Sequence, residues 1–224
     1  MRTTASLICF VLILLSISQS VLGDQWGKFE GKPNFDWLED GRRMILKEDF
    51  NYELPVKDSE TGKAIIWTSP AGTVVDGASI PQPLWSFVGS PFAGKFRNAS
   101  IIHDHQCEQK MHPWRFVHEV FYWGCLAEGV EPKKALAMYT AIMIFGPKWT
   151  VDHELIESKL SLEQKKEEYK RIKKEIEMGE PSIKEVDRHL EEILRLPSRH
   201  YNFHDQSTMV EKVEGNVIIN HRRE

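Results

Sequence analysis

The chain has 224 residues, of which 41% are hydrophobic, and a formal net charge of −4. This length suffices for one ordinary hydrophobic core with an appendage. The mildly acidic charge gives no basic surface of the kind that binds nucleic acid, so we expect no nucleic-acid partner.

The first 23 residues have the pattern of an export signal. Arg2 precedes an uninterrupted apolar run at residues 7–15, and Ser20 or Gly23 offers a small residue before a cleavage point. The run is shorter than the roughly 20 residues that a membrane-spanning helix requires. The sequence therefore predicts a signal peptide at 1–23, a periplasmic or secreted mature protein and no transmembrane span in the mature chain.

The segment 24–75 has the alternation typical of short β-strands separated by turn-forming residues. Candidate strands lie at residues 42–46, 50–54, 64–68 and 73–75. Because the intervening segments are short, we predict an antiparallel β-meander.

An irregular apolar segment, DGASIPQPLWSFVGSPF, follows at residues 76–92. Its prolines and glycines exclude a regular helix, whereas its aromatic residues favour burial. We predict an ordered loop packed on the core, in which the Asp76 side chain caps a turn through hydrogen bonds to the backbone.

Two short amphipathic helices are predicted next, each with one histidine on its apolar face. Residues of one face recur at helical spacing in both segments. The first face holds Phe96, Ala99, Ser100, His103 and Cys107, and the second holds Trp114, Val117, His118, Phe121 and Cys125. His112-Pro113 separates the two helices, because proline suits a first helical turn but not an interior one. We therefore predict an antiparallel hairpin with His103 and His118 at the same level.

Cys107 and Cys125 are the two cysteines beyond the signal segment, and export would favour a disulfide between them. However, the helix register that pairs the histidines shifts the cysteines by about 8 Å along the helices. A disulfide requires Cα atoms within about 7 Å of each other. The two pairings exclude each other, and we predict the histidine pair with free cysteines.

A third helix, apolar nearly all round, is predicted from Pro132 to about residue 145, where Gly146-Pro147 ends it. Residues 151–196 are predicted to form a charged helical extension with a thin apolar stripe. We expect this stripe to pack either on the domain or on a partner protein. A capping box at residues 182–185 begins its second helix.

We therefore predict an α+β fold, with an N-terminal β-meander packed on a three-helix core. The domain spans residues 24–150, the charged extension spans 151–196, and an irregular tail occupies 197–224.

Four segments resemble the DUF1353 family, a small domain of uncharacterised function found in bacteria and phages. The resemblance covers roughly residues 29–149 and implies an N-terminal β portion followed by helices. It is carried by PAGTVVDGASIPQPLWSFVGSPF, the Ile-Ile-His-Asp step, VFYWGCLAEGV and MYTAIMIFGP. The family motif carries over at Asp76, Gly77, Ala78, Ser79, Pro81, His103 and Asp104. Members usually have aspartate on the second helix where this chain has His118, which keeps a proton acceptor but alters its charge and puts catalysis in question.

The His-Asp step, with a polar group from an antiparallel helix behind it, is also loosely similar to the core of secreted phospholipases A2. By that resemblance His103 would activate water, Asp104 would help to hold calcium, and His118 would orient His103. The Gly-rich calcium loop and the disulfides of those enzymes are missing.

Several interpretations of the hairpin remain open. His103 and His118 are core histidines that satisfy each other, or His103 is a general base oriented by His118 or Asp76. Asp104 would then hold a cation or pair with an arginine, the candidates being Arg97 and Arg115. Alternatively, Asp76, His103 and His118 bind a divalent metal, zinc or calcium.

His105 lies about 200° round the helix from His103 and should face away from this site.

From the hairpin and the two resemblances we predict catalytic residues His103, Asp104 and His118, with Asp76, Gly77 and Ser79 as loop residues near the substrate.

The function that these patterns favour is a small exported hydrolase, centred on His103, that acts on lipid esters or cell-wall material. The alternative is a non-catalytic binding or phage-related module that uses the same fold. In that case residues 151–196 would contact another protein.

Overall fold

The structure is a computed structural model that describes residues 25–41, 43–58, 60–76, 94–196, 210–213 and 216–219. Six strands precede the helices: β1 (Lys28–Glu30), β2 (Phe35–Trp37), β3 (Met44–Leu46), β4 (Phe50–Lys57), β5 (Ala64–Ser69) and β6 (Val74–Val75). The described helices are α1 (Arg97–Gln109), α2 (Trp114–Ala127), α3 (Pro132–Phe145), α4 (Leu162–Met178) and α5 (Ile183–Leu194). This succession of strands and then helices confirms the predicted α+β class.

The N-terminal strands pair antiparallel, as predicted, but they form two sheets instead of one continuous meander. One sheet has the order β1-β4-β5 and the other has the order β2-β3-β6. The short strands β1 and β2 were not predicted, and β1 occupies the edge of β4 that a meander would have given to β3. Alternate residues of β4 are buried, including Phe50 and Tyr52, so this strand supplies one face of the core.

The helices α1 and α2 form the predicted antiparallel hairpin, and they pack tightly at Gly124. A Cβ atom at Gly124 would lie 2.9 Å from the Ala99 Cβ and 3.2 Å from the Phe29 ring. The sheet containing β4 and β5 packs on α1, where the Ser69 hydroxyl donates a hydrogen bond to the Ile101 carbonyl. The helix pair therefore lies between that sheet and the remaining helices.

The third helix begins and ends where the sequence indicated. The Glu131 side chain accepts hydrogen bonds from the backbone N–H groups of Lys133 and Lys134, and Pro132 occupies the first turn. At the other end, the Gly146 N–H donates to the Ile142 carbonyl at 2.8 Å. Most of α3 is buried, which explains why its sequence is apolar on nearly every face.

The charged extension packs on this core. Its apolar stripe, formed by Tyr169, Ile172 and Ile176, is buried, and the rings of Tyr169 and Phe145 are in edge contact. Both helices of the extension begin with capping boxes, at Ser161 and at the predicted Ser182. The sequence left open whether the apolar stripe packs on the domain or on a partner protein. In the structure the stripe packs on the chain's own domain.

Two polar contacts, one buried and one partly buried, join the extension to the helices beneath it. The Tyr139 hydroxyl on α3 donates to the Asp187 carboxylate on α5 at 2.5 Å. The Arg115 guanidinium on α2 pairs with the Glu191 carboxylate at 3.0 Å. Because these groups are largely shielded from water, each contact stabilises the observed packing of α5 and would be lost if α5 packed differently.

Asp187→Ala should lower the free energy of unfolding by about 1–3 kcal/mol, because the Tyr139 hydroxyl would lose its acceptor in a buried position. The nearby surface substitution Glu192→Ala should change the free energy by less than about 0.5 kcal/mol. Urea unfolding of both variants measures the difference. Equal stabilities would contradict the contact between Tyr139 and Asp187.

The tail differs from the prediction of an irregular segment at 197–224. Within it, β7 (Val210–Val213) and β8 (Asn216–Ile219) form an antiparallel two-stranded hairpin. Apart from these two strands, the residues of this tail lie outside the described part of the chain. In the portion that the structure describes, no helix combines the length and apolar character needed to cross a membrane.

Candidate functional site

The two histidines meet in the core, as the predicted hairpin register required. The His103 Nε2 atom lies 2.9 Å from the His118 Nδ1 atom, and the exposed fractions of the two residues are 1% and 0%. This distance is that of a hydrogen bond between two imidazoles, one donating and the other accepting. The pairing of α1 with α2 is therefore fixed by a polar contact as well as by apolar packing.

Cys107 lies one helical turn after His103, and its thiol is close to the His103 ring. Its Sγ atom is 3.6 Å from the His103 Nε2 atom and 3.8 Å from the Nδ1 atom. One ligand-type atom from each of His103, Cys107 and His118 lies within 4.8 Å of the other two. Sequence analysis had placed Asp76 in this triplet, whereas the geometry gives the third position to Cys107.

The cysteines are free, as the histidine register predicted. Burial raises the pKa of the Cys107 thiol well above its usual range, and the carboxylates of Asp104 and Asp76 raise it further. Burial likewise raises the pKa of the Cys125 thiol. Neither side chain has the lowered pKa of a nucleophilic cysteine.

Asp104 connects α1 to the backbone at Asp76. One oxygen, Oδ1, lies 3.8 Å from the His103 Nδ1 atom, and the other accepts a hydrogen bond from the Asp76 backbone N–H at 3.0 Å. The Asp76 residue itself is exposed. The His-Asp step thus places a carboxylate beside His103 and joins the Asp76 backbone to α1 through the same side chain.

The arginines considered as partners of Asp104 make other contacts. Arg115 pairs with Glu191, and the Arg97 guanidinium lies 5.8 Å from the centre of the Phe35 ring. His105 faces Thr73, with its Nδ1 atom 3.5 Å from the threonine hydroxyl. Gly77 and Ser79, predicted near the substrate, lie outside the described residues.

Aromatic rings hold the histidine pair in place. His118 is in edge contact with Trp114 and Trp149, at centroid distances of 5.4 Å and 6.4 Å, and His103 contacts the edge of Phe121 at 5.3 Å. Gly146 packs against the His118 ring, since a Cβ atom there would lie 3.2 Å from the His118 Nε2 atom. These walls restrict both imidazoles to their observed orientations.

Lys148, which sequence analysis did not identify, is a buried cation beside the site. It is 7% exposed, lies 5.4 Å from the centre of the Trp114 ring and donates a hydrogen bond to the Gly146 carbonyl at 3.3 Å. Burial, with a smaller contribution from the positive charges of Lys165 and Arg115, lowers the pKa of Lys148 to about 8. Keeping the Lys148 ammonium group charged in this buried position therefore lowers the stability of the fold.

Lys148→Met should raise the free energy of unfolding at pH 7 by about 1–2 kcal/mol, because removing the buried charge outweighs the lost hydrogen bond. In the native chain the pKa is lowered to about 8 from 10.5. Between these pH values the unfolded chain binds more protons, so stability rises with pH and the penalty is full below pH 8. Urea unfolding at about pH 7, 8 and 9.5 should show this rise in the native chain and its absence in the variant. An equal rise in both proteins would contradict this assignment.

Comparison with known proteins shows what the segment around the site is similar to. Residues 44–142 match the family model described as a protein of unknown function, DUF1353. The uncharacterized protein y4jT of Sinorhizobium fredii is 35% identical over 148 residues, which are 65% of this chain and 42% of that protein. The uncharacterized protein y4iH of the same organism is 39% identical over 110 residues, 49% of this chain and 43% of that protein.

The chain therefore spans less than half the length of these relatives. No solved structure matches the chain. The three residues of the buried triplet all lie inside the segment that matches the family model.

Proposed function

We propose that this chain, a member of the DUF1353 family through residues 44–142, is a small hydrolase with its reactive centre at His103. The observation that carries the proposal is the pair of polar groups on the two sides of one imidazole. His118 contacts the Nε2 atom at 2.9 Å, and the Asp104 carboxylate lies 3.8 Å from the Nδ1 atom. A histidine oriented through one nitrogen and reactive at the other is a common means of activating water.

The tautomer of His103 determines which of its nitrogens can react. When the Nε2 proton is donated to His118, the Nδ1 lone pair lies on the side of Asp104 and can take a proton from water. The same two histidine nitrogens can instead hold an ion that acidifies the water. The resemblance to the family leads us to expect aspartate at position 118, and in the proton-transfer scheme the His118 ring supplies an acceptor that can orient His103 in its place.

The substrates that we propose are lipid esters or cell-wall material of the cell envelope. The support is the signal-like pattern of residues 1–23, which lie outside the described residues. We accordingly propose that the mature protein acts in the periplasm or outside the cell. Detection of a processed chain in the envelope or medium, and not in the cytoplasm, tests this location.

The test of the activity uses His103→Asn beside His105→Asn, a substitution of the same type two residues away. Both proteins are incubated with phospholipid vesicles and with isolated peptidoglycan, and released fatty acid and soluble fragments are measured. We expect His103→Asn to lower the rate by at least about 100-fold. His105→Asn should remain within a few fold of the native rate, because this ring faces Thr73.

Circular dichroism of both variants shows whether they are folded. Equal rates for two folded variants would contradict a centre at His103. A native protein that releases no product from either substrate would favour the alternative, a non-catalytic binding or phage-related module. The apolar stripe of the extension, Tyr169, Ile172 and Ile176, is already buried within the chain, so such a module would have to use another surface.

A further inference from the structure

We infer that His103, Cys107 and His118 bind a zinc ion through the Nε2, Sγ and Nδ1 atoms, respectively. The inference rests on the proposed hydrolase centre and specifies how that centre activates water. It assigns a function to Cys107, a buried thiol that the proton-transfer scheme leaves without a role. It also replaces the predicted ligand Asp76 by a residue on the same helix as His103.

Two of the distances in the triplet, both measured from the His103 Nε2 atom, are close to the edges of a zinc tetrahedron. With Zn–N bonds of about 2.0–2.1 Å and a Zn–S bond of about 2.3 Å, two nitrogens are separated by about 3.3 Å and nitrogen from sulfur by about 3.6 Å. The Cys107 Sγ atom lies 3.6 Å from the His103 Nε2 atom. The two histidine nitrogens are 2.9 Å apart, so zinc binding requires them to separate by a few tenths of an ångström.

The chemistry of the donors selects the ion. Two imidazoles and a thiolate suit zinc, whereas calcium requires six to eight oxygen ligands. The Asp76 side chain is exposed, and its backbone N–H is engaged with Asp104. Of the two metals that the sequence left open, the triplet therefore favours zinc.

Protons and charges balance when zinc binds. The two neutral histidines keep one proton each, His103 on Nδ1 and His118 on Nε2, while the Cys107 thiol releases its proton to solvent. Two positive charges on the ion then face one thiolate and the carboxylate of Asp104. The Asp104 Oδ1 atom, 3.8 Å from His103 Nδ1, needs to move by about 1 Å to accept that hydrogen bond.

Asp104 would thus be the outer carboxylate that commonly orients a zinc-bound histidine. The Asp76 N–H, at 3.0 Å from its other oxygen, fixes the carboxylate in turn. Trp114 and Trp149 restrain the His118 ring, and Phe121 restrains His103. Such a supporting shell lowers the cost of ordering the ligands when the ion binds.

Three protein ligands leave the fourth tetrahedral position to water or substrate, as in catalytic zinc sites. An ion there lowers the pKa of its water toward neutral pH. His103 would then be a ligand and would not itself accept the proton.

The first experiment is elemental analysis of the native protein, purified without chelators and then dialysed against zinc at micromolar concentration. We expect about one zinc per chain, and less than about a tenth of that in His103→Asn and in Cys107→Ser. Two matched controls, His105→Asn and Cys125→Ser, should keep the full content, because neither side chain belongs to the triplet. Asp104→Asn should retain the site with zinc affinity about 10- to 100-fold weaker.

Cobalt substitution identifies the sulfur ligand without any activity assay. The native protein loaded with Co²⁺ should show thiolate-to-cobalt charge-transfer absorption, and Cys107→Ser should lose this band while Cys125→Ser keeps it. Absence of bound zinc in the native protein, or an unchanged cobalt spectrum in Cys107→Ser, would overturn the inference.

The hydrolase proposal and the zinc proposal can be contradicted independently of each other. Bound zinc with no hydrolysis of vesicles or peptidoglycan would leave a structural metal site and remove the hydrolase. Hydrolysis that depends on His103 in a protein that binds no zinc would remove the ion and leave His103 as the base. Zinc lost equally from Cys107→Ser and Cys125→Ser would also contradict the ligand set.

Discussion

Gly146→Ala should lower the free energy of unfolding by about 2–3 kcal/mol and should also disturb the histidine pair. A Cβ atom at this position would lie 2.4 Å from the Ile142 carbonyl oxygen and 3.2 Å from the His118 Nε2 atom. The first contact is with backbone, so the end of α3 has to shift, and the second is with a ring held by two tryptophans. The backbone angles of Gly146 are ordinary for any residue, and the expected cost is therefore purely steric.

Gly179 provides a matched control for this effect. It likewise follows the end of a helix, and its N–H donates to the carbonyl of Glu175 four residues earlier. A Cβ atom at Gly179 would lie 3.2 Å from that carbonyl, so Gly179→Ala should cost less than about 1 kcal/mol. Urea unfolding and the zinc content of both variants measure the two effects. A Gly146→Ala variant as stable as Gly179→Ala, with unchanged zinc content, would contradict the packing of Gly146 against His118.

The register of the helical hairpin could be predicted because each apolar face carries one histidine. Buried polar groups require partners, so the two imidazoles had to meet, and this requirement also excluded a disulfide between Cys107 and Cys125. The structure confirms both consequences. Helix ends marked by proline and glycine, such as Pro132 and Gly146, were predictable for a similar reason, because these residues act through local backbone geometry.

The third member of the triplet was missed although the sequence contained a signal for it. His103 and Cys107 are four residues apart on one predicted helix, a spacing that places two side chains on one face. The sequence prediction treats Cys107 only as a possible partner of Cys125 and gives it no role beside the histidines. Asp76 was named instead, and the structure shows that its N–H meets Asp104 while its side chain is exposed.

Long-range pairing explains the remaining differences. The strands β1 and β2 have three residues each, too few for alternation to be recognised, and their insertion divides the predicted meander into two sheets. The burial of Lys148 likewise depends on Trp114, a residue from another helix. Neither feature is encoded in the local pattern of apolar and polar residues.

Ile176→Asp should lower the free energy of unfolding by more than about 4 kcal/mol and prevent stable folding of the whole domain. Ile176 lies on α4 in the charged extension and is 0% exposed, within the same hydrophobic core as the helices α1 to α3. An aspartate there would be a buried charge with no cation provided for it. Met178→Asp is the matched control, since Met178 lies two residues away on the same helix and is 72% exposed. Its stability should change by less than about 0.5 kcal/mol.

The measurement is thermal unfolding followed by far-ultraviolet circular dichroism and by tryptophan fluorescence. The tryptophans lie outside the extension, and Trp114 and Trp149 surround His118. If the extension were an independent module, Ile176→Asp would lower helix content while the tryptophan transition stayed in place. The shared core predicts that both signals are lost together, and that zinc binding at the histidine pair is lost with them. The extension would then be a structural part of the reactive centre, because α4 and α5 support the helices that carry it.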